Sequence, residues 1–129
     1  MSALGFTTVA SLLKEQSEMV KGKGIEAFGV SVIDDTDGKH EVIKTSNAQL
    51  HLFMQIKRGN VTDLIFQSTE QAEAFFANIE GYYGKEKADR VLKDMRYLCV
   101  GDSKDALVPR GVQDSEVFSS LEDALDSIR

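Results

Sequence analysis

Through the second half of the chain, short apolar runs alternate with segments of helical period, and this alternation constrains the fold more than any other feature. Leu64-Ile65-Phe66 is a run of strand length and composition. Ser68 or Thr69 can then cap a helix carrying Ala72, Phe75, Phe76 and Ile79, with Glu70 and Glu73 near the positive end of its dipole. Gly81 and Gly84 bracket Tyr82-Tyr83, and Lys85 to Met95 gives a further helical stretch with Ala88, Val91, Leu92 and Met95 in register. Arg96 to Val100 reads as a strand and Gly101-Asp102-Ser103 as a turn, followed by a short helix from Lys104 to about Val108. Glu116-Val117-Phe118 is the next strand, and Ser119 or Ser120 opens a last helix through Leu121, Ala124, Leu125 and Ile128. Strands joined through helices require crossovers, so the expectation is a three-layer α/β domain over residues 1–129 with a largely parallel sheet.

The first half is less regular. Thr8 can cap a helix with Val9, Leu12, Leu13 and Val20 at helical spacing, Lys21 at its negative end and Gly22 in the left-handed cap. Ile25 to Ile33 reads as a strand with Phe28, Val30 and Val32 on one face and Gly29 and Ser31 on the other. Asp34-Asp35-Thr36-Asp37-Gly38 breaks it, and Glu41 to Lys44 is a short strand beyond the turn. Ala48 to Arg58 fits two templates. Leu50, Leu52, Met54 and Ile56 alternate as in a strand, which would turn at Arg58-Gly59-Asn60 into an antiparallel hairpin in the N-terminal half. Leu52, Phe53 and Ile56 equally suit a helix capped by Ser46 or Asn47 and stopped by Gly59, which would cross over into a parallel strand; the helix is the favoured reading.

A chain of 129 residues with no Gly/Ser/Pro-rich linker fits one domain. Lys+Arg 15 against Asp+Glu 21 leaves a net charge of −6, which argues against nonspecific binding to nucleic acid or an anionic membrane. No apolar run approaches the roughly 20 residues of a membrane-spanning helix, and the N-terminus lacks the basic and apolar regions of a secretory signal. The single Cys99 lies in the apolar run Tyr97-Leu98-Cys99-Val100 and suits a reducing compartment, so a soluble cytoplasmic protein is expected.

Few residues suggest chemistry. Asp34-Asp35 at a strand end could hold Mg²⁺ in a receiver-type site, but that site needs an aspartate where Gln67 and Ser68 stand; a solvated turn is favoured. His40 and His51 are not at metal-ligand spacing, and no metal or cofactor is expected. Tyr82-Tyr83 could stack on a ligand or close the edge of a core, the second being the more usual. The turns Phe66 to Thr69 and Val100 to Ser103 both follow strands and precede helices. Free N–H groups and positive dipole ends there make an anion site, with Ser68, Thr69, Gly101 and Ser103 as the candidate ligand-binding residues; capping alone would also account for the three hydroxyls.

At these residues the chain resembles one lobe of uroporphyrinogen-III synthase. The similarity runs through Asp63-Leu64-Ile65-Phe66-Gln67-Ser68 with Ala72, Phe75 and Phe76, then Leu98-Cys99-Val100-Gly101 through Ala106-Leu107 to Gly111, then Ser120 to Leu125, with a looser echo in Val42-Ile43-Lys44-Thr45. Gln67 replaces that family's Thr, and Ile43 stands where its Tyr would be. The resemblance implies a cofactor-free enzyme that cyclises an acidic linear tetrapyrrole, with Ser68, Thr69 and Ser103 binding carboxylates and a second lobe supplied by a partner chain. The ending Glu116 to Leu125 also looks like that of the sulfate-transporter/anti-sigma-antagonist modules, whose phosphorylatable Asp-Ser-Ser/Thr-Gly turn is absent here. A binding or regulatory module, taking a protein partner or a small anionic ligand, is the favoured expectation, with the tetrapyrrole enzyme as the alternative. No catalytic residue set is assigned, and a homodimer joining the Ser68 and Gly101 turns would favour ligand chemistry.

Overall fold

The computed structural model describes residues 3–112 and 115–128. Six strands form one sheet: β1 (Ala3–Val9), β2 (Ala27–Asp34), β3 (Glu41–Val42), β4 (Val61–Phe66), β5 (Arg96–Val100) and β6 (Ser115–Phe118), in the spatial order β3-β2-β1-β4-β5-β6. All neighbours are parallel except β2 and β3, which pair antiparallel at Ile33 with Val42 and Asp34 with Glu41. The helices are α1 (Leu13–Gly22), α2 (Asn47–Lys57), α3 (Thr69–Tyr83), α4 (Lys85–Val91), α5 (Lys104–Leu107) and α6 (Leu121–Asp126).

From α2 onward, local signals and structure agree closely. The segment at residues 48–58 is helical over Asn47–Lys57, so among the described residues the only antiparallel pairing in the N-terminal half is the short β2–β3 contact. Ser46, Ser68 and Ser120 are the N-caps of α2, α3 and α6, each hydroxyl accepting the backbone N–H three residues on, from Gln49, Gln71 and Asp123 respectively.

The start of the chain is different from its sequence reading. Thr8 does not cap a helix; it lies in β1, and a short 3₁₀ turn at Ala10–Leu12 leads into α1 without a side-chain cap. The left-handed residue after α1 is Gly24, at φ +75°, rather than Gly22. β1 is easily missed because both of its faces are buried, so it shows no polar face, and because Gly5, Thr7 and Thr8 dilute its apolar content. It nonetheless holds the centre of the sheet, between β2 and β4.

Two glycines let that centre close. A Cβ on Gly5 would stand 2.7 Å from Leu64 Cδ2 and 2.9 Å from Leu52 Cδ1, so its absence lets α2 settle against the sheet. On the other face the Phe6 ring lies over Gly29, its register partner in β2, with Cε1 2.8 Å from where a Cβ would be. One core, under α2, α3, α4 and α5, includes Val30, Val32, Leu52, Phe53, Leu64, Phe66, Phe75 and Ile79. The second, under α1 and α6, includes Leu4, Phe6, Val20, Ile65, Leu98, Leu121 and Leu125. Burying each large side chain contributes roughly 1.5–3 kcal/mol, which is what holds the three layers together.

The sheet edge at β3 is tied down by amides. Gln49, fully buried, donates from Nε2 to the carbonyls of Ser31 (3.3 Å) and Ile43 (3.4 Å), and its Oε1 accepts from Asn78 Nδ2 at 2.7 Å. α2, α3 and the segment after β3 thereby share one satisfied polar cluster.

Candidate functional site

From β1 the chain first builds to one side, through β2 and β3, and then to the other, through β4, β5 and β6. The reversal places a topological switch point between β1 and β4, the position at which open α/β sheets generally leave a crevice beyond the strand C-termini. The groups meeting there come from β1, β4, α1 and α3. Thr7 Oγ1 donates to Gln71 Oε1 at 2.9 Å, and Gln67 Nε2 donates to the Thr7 carbonyl at 2.7 Å. Gln67 and Gln16 join amide to amide: Gln67 Nε2 donates to Gln16 Oε1 at 2.7 Å and Gln16 Nε2 returns to Gln67 Oε1 at 3.2 Å. Beside them Thr8 Oγ1 is buried without a hydrogen-bond partner among the described residues.

The two turns singled out from the sequence are neighbours at the same edge, and hydrogen bonds join them. Ser68 caps α3, its hydroxyl accepting the Gln71 N–H at 3.1 Å. Thr69 faces the second turn: its N–H donates to Asp102 Oδ1 at 3.2 Å and its hydroxyl to the Asp102 carbonyl at 2.7 Å. Ser103, fully buried, does not cap α5 but donates its hydroxyl to the Phe66 carbonyl at 3.0 Å. Gly101 takes φ +64°, and its N–H donates to the Phe118 carbonyl at 3.1 Å. Asp102 therefore supplies a carboxylate at the positive end of α3.

The acidic segment after β2 is a hydrogen-bonded turn. Asp34 Oδ1 accepts from the Thr36 hydroxyl (2.6 Å) and N–H (3.0 Å), and these bonds hold its carboxyl below the usual range. Asp35 is lowered in the same way by the Ser11 hydroxyl and N–H, which ties this turn to the start of the β1–α1 connection. His40, without a role in the sequence reading, is placed against the first turn of α3, with Nε2 2.7 Å from Glu70 Oε1. His51 packs edge-on to Phe28. Cys99 is fully buried; burial pushes its thiol up, against the smaller opposing effect of hydrogen bonds with Ser103 and Ser115. Among the described residues no three His, Cys, Asp or Glu side chains converge as metal ligands, and no helix is long and apolar enough to cross a membrane.

The sequence singles out Ser68, Thr69, Gly101 and Ser103, which the structure brings to one edge, but not Thr7, Gln16, Gln71 and Asp102, which bond there. Thr7 lies on the strand that has no local signal, and Gln16 lies in the helix that follows it. Gln67 was noted only as a departure from other patterns, and nothing local couples it to Gln16, 51 residues away.

No protein-family model matches the chain, and no curated protein sequence matches it. Solved structures do. The crystal structure of the RPS4 and RRS1 TIR domain heterodimer matches at 18% identity and TM-score 0.51, over 99% of this chain and 93% of that one. A mutant uroporphyrinogen III synthase from the extremely thermophilic bacterium Thermus thermophilus matches at 18% identity and TM-score 0.53, over 98% of this chain and 49% of that one. This chain thus spans about half the length of that synthase, and the likeness extends beyond the C-terminal half that carries the sequence resemblance. Both comparisons show a shared α/β fold.

Proposed function

We propose that the chain is a noncatalytic α/β binding or regulatory module whose ligand-facing edge is the crevice at the strand C-termini. The observation that carries this reading is the occupancy of that edge. The switch point is built from Thr7, Gln16, Gln67 and Gln71, whose hydroxyl and amides hold geometry but exchange no proton at neutral pH. Next to it the start of α3 already holds a carboxylate, that of Asp102.

Binding then has a definite form. A small polycarboxylate or phosphate displaces Asp102 from the Thr69 N–H, while Ser68, Gly101 and Ser103 keep the two turns in place. The internal carboxylate competes with the ligand and sets a threshold on its affinity, as a regulatory site requires. A reducing compartment such as the cytoplasm suits the free, buried Cys99.

A backbone-amide NMR titration with citrate, inorganic phosphate and a linear tetrapyrrole acid tests this reading. Shifts clustered at residues 68–69 and 101–103 support an anion crevice. Silence at both turns with all three ligands overturns it and leaves a module that acts through a protein partner, the kind of assembly one fold neighbour forms. Selective binding of the tetrapyrrole, accompanied by dimerisation, would instead favour the synthase-like enzyme completed by a partner lobe.

A further inference from the structure

The opposite edge of the molecule carries a feature that the strand-end crevice does not use. α2 leads into β4, and α3 leads through α4 to β5, so the ends of α2 and α3 lie beside the N-terminal ends of the strands. There Met54, Lys57, Arg58, Tyr82, Tyr83 and Lys87 line a groove of about 670 Å³, within the usual size of small-molecule sites. Tyr82 and Tyr83 each close on Phe53 at 6.4 Å between centroids, so they do seal the edge of the core, yet Tyr82 remains 55% exposed and presents its ring to the groove.

The charges here are not explained by the fold. In a chain of net charge −6, three cations meet in one groove, and among the described residues none of the three has a carboxylate within ion-pair distance. Lys57 and Arg58 complement the negative end of α2. Lys87 has no such reason: it sits in the first turn of α4, where the helix dipole disfavours a cation. Its ammonium lies 5.0 Å from the centroid of the Tyr83 ring, over which Lys57 also stands at 5.9 Å. The neighbouring Lys57 charge, with a lesser effect of desolvation, holds Lys87 below the usual lysine range. Two like charges gathered over one ring are relieved by a compact multivalent anion, which a phosphate supplies better than separate carboxylates along a peptide.

We infer that this groove is a second binding site, for a phosphorylated small molecule with a planar ring, of the nucleoside monophosphate class. The phosphate lies between Lys57, Arg58 and Lys87, and the ring stacks on the exposed Tyr82. Single-stranded nucleic acid shares this chemistry, but the acidic remainder of the surface repels a long polyanion.

Calorimetric titration of the full chain with adenosine monophosphate at low ionic strength, alongside adenosine, inorganic phosphate and a short single-stranded oligonucleotide, decides the matter. The nucleotide is expected to bind more tightly than adenosine or phosphate alone, and more tightly than the oligonucleotide. Lys87→Gln, at a half-buried position, and Tyr82→Ala, at an exposed one, should each weaken it by about tenfold. Absence of nucleotide binding at about 1 mM overturns the inference. So does binding unaffected by either variant, adenosine or phosphate matching the nucleotide, or an oligonucleotide that binds best. The strand-end crevice is read separately, through Thr69 and Asp102, so either site can fail without the other.

Discussion

The Asp102 carboxylate accepts the backbone N–H of Thr69 at 3.2 Å, so a residue in the turn after β5 neutralises the start of the helix that follows β4. The α3 terminus is in this sense already liganded. Asp102→Ala removes the charge while leaving the Asp102 backbone carbonyl to hold the Thr69 hydroxyl. It should lower stability by about 0.5–1 kcal/mol and bind phosphate or citrate several-fold more tightly than the native chain. Urea unfolding and anion titration of the same variant check the two halves; a variant with lower stability and unchanged affinity would show that the carboxylate is structural only.

Thr7 and Thr8, adjacent in β1 and both buried, should respond in opposite directions to replacement by valine. Thr7→Val deprives Gln71 Oε1 of its donor and should cost about 1–3 kcal/mol. Thr8→Val removes a buried hydroxyl that has no partner among the described residues, and should stabilise by roughly 1 kcal/mol. Paired denaturation curves measure both, and equal effects would contradict the hydrogen-bond assignment.

Gly29→Ala forces a methyl group against the Phe6 ring and should destabilise by about 1–3 kcal/mol. Gly22→Ala, at a helical position with nothing within 4 Å of the added Cβ, should be neutral or stabilising. If the contact is the cause, Phe6→Leu should recover part of the Gly29→Ala loss, a coupling that a double-mutant cycle measures.

Asp63, half-buried between β1 and β5, has its carboxyl raised above the usual range by burial, with Glu116 adding to the rise and Arg96 opposing it. A raised folded-state value means that the unfolded chain releases the proton first. Stability from this group is therefore present on the acid side and lost as pH rises through the folded-state value. Asp63→Asn should be more stable than the native chain at neutral pH, with the advantage shrinking as pH falls through the carboxylate range. Asp34 and Asp35 act in the opposite sense: their lowered values give stability at neutral pH that is lost as acid protonates them. Urea midpoints across pH for the native chain and the Asp63→Asn variant separate the two contributions.

Where a residue's conformation follows from its near neighbours, the sequence was legible. The caps at Ser46, Ser68 and Ser120, the strand at residues 96–100 and the parallel crossovers from β4 onward follow from signals within a few positions. The four ligand-site candidates could be singled out for the same reason, since a strand followed by a helix marks a strand C-terminal edge wherever it occurs. What they bond to could not be read: Thr69 meets Asp102 33 residues away, and Ser103 meets the Phe66 carbonyl 37 residues away.

The sequence by itself determined the fold class, because periodicity, caps and turn residues are short-range properties of the chain. Tertiary structure alone decided that Ala3–Val9 is a strand, that it lies at the centre, and hence that the switch point falls between Thr7 and Gln67. A strand buried on both faces has no alternation to display; its conformation is selected by partners that arrive from β2 and β4 and by the room that Gly5 and Gly29 leave. The meeting of Lys57 and Lys87 over Tyr83 has the same origin, since only the packing of α2 against α3 and α4 sets two cations over one ring.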